Sequence, residues 1–100
     1  MKIEKIAGAM KQIKGSFGLD MTDVLILDDI ERAQKKSGKV TIMEFIESCD
    51  VASQATVHAR IKKMCNQKFL RKDVEEDNLR NKLLNFGPTY YQLVEAVRQF

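Results

Sequence analysis

Residues 53–72, SQATVHARIKKMCNQKFLRK, hold six Lys or Arg and one His, with no Asp or Glu. Cationic side chains with no carboxylate among them are suited to neutralising phosphates. Val57, Ile61, Met64 and Cys65 recur through the same stretch at three- and four-residue steps, so the cations ride on a helix and not on a tail. With that stripe packed inward, a helical wheel puts Ala55, Ala59, Lys62 and Asn66 on the opposite face. Thr56, His58 and Lys63 lie on its flanks. Small Ala residues permit close approach, and polar side chains near the start of such a helix reach base edges in a major groove. Gln54, Thr56 and His58 are therefore the expected base contacts. Ser53, Arg60, Lys62, Lys63 and Lys72 are the expected phosphate contacts, joined by Arg80 and Lys82 from a later strand. An acid on this face would be repelled by a nucleic-acid backbone, which accounts for the missing carboxylates.

Other chemistries find less support. His58 has no Ser, Cys or carboxylate around it in a recognisable nucleophile motif. Asp28, Asp29 and Glu31 look like paired carboxylates, but neighbours on a helix diverge by roughly 100° and do not converge on a substrate; they read as an exposed acidic face. P-loop, GxGxxG, HExxH and GxSxG patterns are all missing, so an enzyme is not expected. Two Cys and one His, without CxxC spacing, are too few for a metal site, and no cofactor is expected. Cys49 and Cys65 read as reduced thiols on apolar helix faces, a redox pair being the alternative. Tyr90 and Tyr91 read as packing and not as base-stacking groups.

One hundred residues suffice for a single domain, 1–100, with one modest core. The net charge of +3 is mild, but its distribution is not. Residues 20–31 carry five acids and no base, and residues 73–77, DVEED, carry four acids. Such segregation builds a one-sided field that can attract a polyanion locally. No apolar run reaches membrane-spanning length, and the N-terminus lacks a secretory core, so a cytoplasmic location is expected.

These side chains need a scaffold. Ile3, Ile6, Ala7, Met10 and Ile13 mark a helix over 2–14, stopped by GSFG. Asp20 or Thr22 caps a second over 21–36, with Val24, Leu25, Leu27, Ile30 and Ala33 inward and KKSG as its stop. KVT is a short extended piece. Thr41, with Glu44 three residues on, opens a helix over 42–49 that buries Ile42, Phe45, Ile46 and Cys49. After the CDVA turn, Ser53 caps the basic helix over 53–67. FLRK and RNKLLNF form a hairpin within 69–86. Pro88 suits the first turn of a last helix over 88–99, whose stripe is Tyr90, Leu93, Val94 and Val97. The fold class is mainly α with a small β-hairpin: a winged helix-turn-helix, with the two-helix motif at 42–67 and the wing at 69–86.

The order of elements and the run TIMEFIESCDVASQATVHARIKKMCNQKFLRKDVEEDNLRNKLLNFGPTYYQLVEAV resemble the multiple-antibiotic-resistance-regulator (MarR) type of winged-helix transcription factors. The resemblance covers about residues 19–97 and rests on SxATV opening the fourth helix, FLRK as first wing strand and a basic second strand. Asn78-Leu79-Arg80 stands where that family has Asp-x-Arg, so the Arg is kept and the Asp is not. Three further departures are visible. The DVAS turn is one residue longer than common, Gln67 or Lys68 stands where Gly is frequent, and the wing tip is acidic. The chain is also shorter than typical members, and no extensive ligand pocket between domains is expected. The resemblance implies a transcriptional regulator that binds double-stranded DNA sequence-specifically. A homodimer held by the helices at 2–14 and 88–99 is expected from their apolar stripes, which one small core need not absorb. The alternative function is a winged-helix protein adaptor in a transcription or replication assembly, a basic partner docking on the acidic wing at Glu75, Glu76 and Asp77 and on the acidic DVLILDDIE face.

Overall fold

The structure, a computed structural model, describes residues 9–10, 13–75 and 78–99, and for residues 75 and 78–81 the backbone alone. Helical backbone at 9–10 and 13–17 makes α1. It is followed by α2 (Met21–Ser37), α3 (Ile42–Ser48), α4 (Gln54–Asn66), β1 (Leu70–Glu75), β2 (Asn78–Phe86) and α5 (Pro88–Arg98). α1 runs one turn further than the sequence predicts, with Gly15 inside it. Phe17 packs edge-on against Phe69 at a centroid distance of 6.2 Å, which holds that extra turn. The stop is Gly18, at φ 68°.

Each later helix begins on a local signal. Asp20 and Asp23 cap one another's backbone N–H groups at the start of α2. The Thr41 hydroxyl accepts from Glu44 N–H, and the Ser53 hydroxyl accepts from Thr56 N–H. Pro88 occupies the first turn of α5, where its missing N–H costs nothing.

α2 is the central helix. Val24, Ile26, Leu27 and Ile30 are fully buried, so Ile26 takes the inward place expected of Leu25, which is half-buried. Asp28, expected on an exposed acidic face, is buried as well and pairs with Arg32 at 3.3 Å. A helix enclosed on most of its circumference has little polar face left to expose. The two strands pair antiparallel from Leu70↔Phe86 to Val74↔Lys82, then shift register at Val74/Glu75. Thr41 bridges Leu83, and Gln34 Nε2 donates to the Leu84 carbonyl at 2.9 Å, so the wing is tied to α2 and α3.

The end of α4 is closed by a Schellman motif. Phe69 N–H donates to Met64 O at 2.9 Å, and Lys68 N–H to Cys65 O at 3.1 Å. Lys68 takes the left-handed position, φ 68°, so it and not Gln67 stands where Gly would be easiest. Its carbonyl accepts from Thr89 N–H, and Gly87 N–H donates to Phe69 O, stitching this turn to the start of α5. A Cβ on Gly87 would lie 2.3 Å from the Lys68 carbonyl oxygen, so only Gly fits.

The terminal helices give up part of the apolar surface expected at a dimer interface. Ile13 and Val97 are buried in this chain's own core, and Val94 packs against it half-buried. Ile3, Ile6, Ala7 and Phe100 lie outside the described residues.

Candidate nucleic-acid interface

Val57, Ile61 and Met64 bury the inner side of α4 and thereby set its roll. Gln54, Ala55, His58, Ala59, Lys62 and Asn66 are exposed on the outer side. Of the three expected base contacts, Gln54 and His58 therefore face outward. Thr56 is half-buried, and its hydroxyl accepts from Ser53 Oγ at 3.0 Å. Ser53 itself is occupied as the helix cap.

The expected phosphate contacts divide. Lys62, Lys72 and Lys82 are exposed. The backbone of Arg80 lies in β2, but its side chain is outside the described set, as are the side chain of Glu75 and all of Glu76 and Asp77. The acidic wing tip expected to take a protein partner thus falls outside the described residues. Arg60 and Lys63 depart from expectation. Arg60 Nη1 donates to Asp20 Oδ2 at 2.6 Å and to Asp23 Oδ1 at 3.1 Å. Lys63 Nζ donates to Asp23 Oδ2 at 2.6 Å. Both cations point back at the start of α2 and away from the outer face. The Arg60 guanidinium holds the Asp20 carboxyl below the usual carboxylate range, and the two carboxylates raise Arg60 in turn.

Beside Lys62 lies an open cleft of about 450 Å³ between the end of α4, the start of β1 and the start of α5. Lys62, Lys68, Arg71 and Lys72 line it together with Cys65, Leu70 and Pro88, and among the described residues no carboxylate does. Lys68 and Arg71 were not among the expected contacts, although both belong to the same acid-free stretch. Asp73, next along β1, accepts from Asn85 at 2.6 Å and from Arg71 at 3.0 Å, and both bonds lower its pKa. That carboxylate is thereby held within the hairpin. Cys49 is buried and Cys65 half-buried, and burial pushes both thiols above their ordinary range. Tyr90 is buried, stacks on Phe86 and donates to Glu31 at 2.5 Å; burial and that bond raise its pKa. Among the described residues no helix is long and apolar enough to cross a membrane.

No family model and no curated protein matches the sequence. Solved structures do resemble the fold. A MepR mutant from S. aureus superposes with a TM-score of 0.72 at 16% identity, over 97% of this chain and 67% of that one. A second S. aureus MepR mutant, bound to an oligodeoxyribonucleotide, gives 0.68 at 17% identity, over 97% and 71%. A MarR/EmrR family transcriptional regulator from Acinetobacter sp. ADP1 gives 0.63 at 15% identity, over 98% and 66%. The fold is the MarR-type winged helix. In that fold α3 and α4 make the helix-turn-helix, and β1–β2 is the wing. This chain spans about two thirds of the length of each of these structures.

Proposed function

We propose that this domain is a small transcriptional regulator that binds double-stranded DNA sequence-specifically, with α4 in the major groove. The observation that carries the proposal is the outer face of α4, free of carboxylates and continuous with the cationic cleft beside it. Gln54 and His58 lie where base edges are read, and Lys62, Lys72 and Lys82 meet phosphates. MepR in complex with an oligodeoxyribonucleotide supports the same use of the fold. No catalytic step is part of the proposal.

Titrating a DNA shift assay against salt tests it. Each phosphate contact contributes about 0.9 to the slope of log affinity against log salt. Lys62→Ala with Lys72→Ala should therefore flatten the slope by about twice that. An unchanged slope would sink the α4 docking. Pairing of two copies through the terminal helices would set two α4 helices on a palindromic site about one helical turn apart. Light scattering that stays at the monomer mass at every concentration removes that part.

A second reading has an observation of its own. α3 exposes Glu44 and Glu47, Asp50 follows it, and Met43 stands 65% exposed beside them. No Lys or Arg occurs between residues 41 and 52. A basic protein segment suits that face better than a DNA backbone does. Loss of a protein partner, with DNA binding intact, in Glu44→Gln with Glu47→Gln would favour the adaptor.

A further inference from the structure

We propose that Asp23 is a positioning residue for DNA reading, whose buried carboxylate withholds Arg60 and Lys63 from phosphates and fixes the roll of α4. The inference rests on the DNA-binding reading above and adds to it how selectivity is built.

The geometry is specific. Asp23 is 0% exposed, at the third position of α2, and both of its oxygens are used. Oδ1 accepts from Arg60 at 3.1 Å, and Oδ2 accepts from Lys63 at 2.6 Å and from Asp20 N–H at 3.2 Å. Asp20 takes Arg60 a second time at 2.6 Å. Two anchors three residues apart on one flank of a helix resist rotation about its axis. The side-chain envelope of a helix has a radius of about 5–6 Å, so a roll of about 20° would carry a reading tip roughly 2 Å. Hydrogen bonds to base edges do not survive such a displacement. The clamp therefore keeps Gln54 and His58 aimed outward.

The same contacts subtract charge from the DNA face. A carboxylate out of solvent is screened far less than a phosphate in salt water, so Arg60 and Lys63 remain with Asp23. Phosphate contacts supply nearly all non-specific affinity. Holding two cations back lowers that background and leaves base contacts untouched. The apparent waste of two positive charges on the recognition helix becomes a device for selectivity.

The test compares wild type, Asp23→Asn, and the triple variant Asp23→Asn, Arg60→Gln, Lys63→Gln. The probes are a duplex selected by the wild type from a random library and a scrambled duplex of the same composition. Asn keeps the oxygen that caps Asp20 but not the charge. Expected for Asp23→Asn is tighter binding to the scrambled duplex, with a salt slope steeper by about 0.9 for each cation that reaches a phosphate. Its preference for the selected duplex should fall roughly tenfold, about the worth of one base contact. The triple variant should return to the wild-type slope while the preference stays low. If Asp23→Asn weakens binding to both duplexes equally with no change of slope, its role is merely structural and the proposal is overturned. If circular dichroism shows Asp23→Asn unfolded, Asp20→Asn takes its place, since it retains a capping side chain and loosens Arg60 alone. A slope and a preference both unchanged in that variant likewise overturn the proposal. A wild type that enriches no duplex from the random library removes the DNA reading itself, an outcome distinct from all of these.

Discussion

On the flank of α4 that faces α2, Arg60 and Lys63 close on two carboxylates, one of them fully buried. On the flank that faces β1, Lys62 pairs with no carboxylate among the described residues and joins Lys68, Arg71 and Lys72 around an open cleft. Charge holds the first flank in place. The second is held by backbone: the Schellman turn at Lys68 and its crossing with Gly87. Lys62, next to Lys63 in the same helix, thus has the opposite fate: Arg60 and Lys63 are held on carboxylates of α2, and Lys62 is left exposed. What a cation can do for a ligand depends on which carboxylates the fold has already brought to it.

The largest expected effect comes from emptying the α2 flank. Arg60→Ala with Lys63→Ala leaves Asp23 buried without a cation, and breaking a buried pair in this way costs about 3–5 kcal/mol. Asp23→Ala should cost less, because Arg60 and Lys63, with side chains 29% and 41% exposed, can turn to water. Lys62→Ala with Lys72→Ala on the other flank should stay within about 0.5 kcal/mol. Urea denaturation of the three variants checks the order. Equal losses for the two double variants would erase the distinction between the flanks.

This asymmetry also marks how far the sequence can be read. The caps at Asp20, Thr41 and Ser53 and the Pro at position 88 are local signals, and the helices begin where they stand. The turn at the end of α4 was legible only as a choice between Gln67 and Lys68, since neither is Gly and backbone dihedrals alone decide. The clamp was not legible at all. Arg60 meets Asp23 across 37 residues and Asp20 across 40, and no periodicity connects them. The only trace was a set of acids at the start of α2 to match the bases of α4. Asp28 misled for a related reason: the pattern of a helix with one polar face fails where neighbours enclose it.

A middle-sized effect is expected from Gly87→Ala, which acts on the backbone-held flank. Its Cβ would press on the Lys68 carbonyl from 2.3 Å, with the Lys68 carbonyl carbon at 3.0 Å, and backbone on both sides has little room to yield. Overpacking of this kind costs about 1–3 kcal/mol. Salt does not screen a steric clash, so thermal melts should show the same loss at low and high ionic strength. A loss that disappears in high salt would mean that charge, and not backbone fit, holds this flank too.

The smallest effect has the opposite sign. Lys68 sits at φ 68°, where a side chain costs about 1–2 kcal/mol relative to the right-handed region. Lys68→Gly removes that cost but gives the unfolded chain more freedom, worth about 0.4–1 kcal/mol. A net gain of about 0.5 kcal/mol should remain, seen as a melting point higher by roughly 2–4 °C for a domain of this size. Gln67→Gly, one residue earlier at φ −85°, has no such strain to relieve and should lower the melting point. Lys68 is also one of four cations on the cleft, so the stabilised variant should bind DNA with a salt slope flatter by up to about 0.9. Stability and DNA affinity would then move in opposite directions through one residue. That would separate two duties of this flank: its backbone closes α4, and its charge lines the cleft. If Lys68→Gly gains stability with the slope unchanged, the cleft is a bystander to DNA binding and only the outer face of α4 carries the contact.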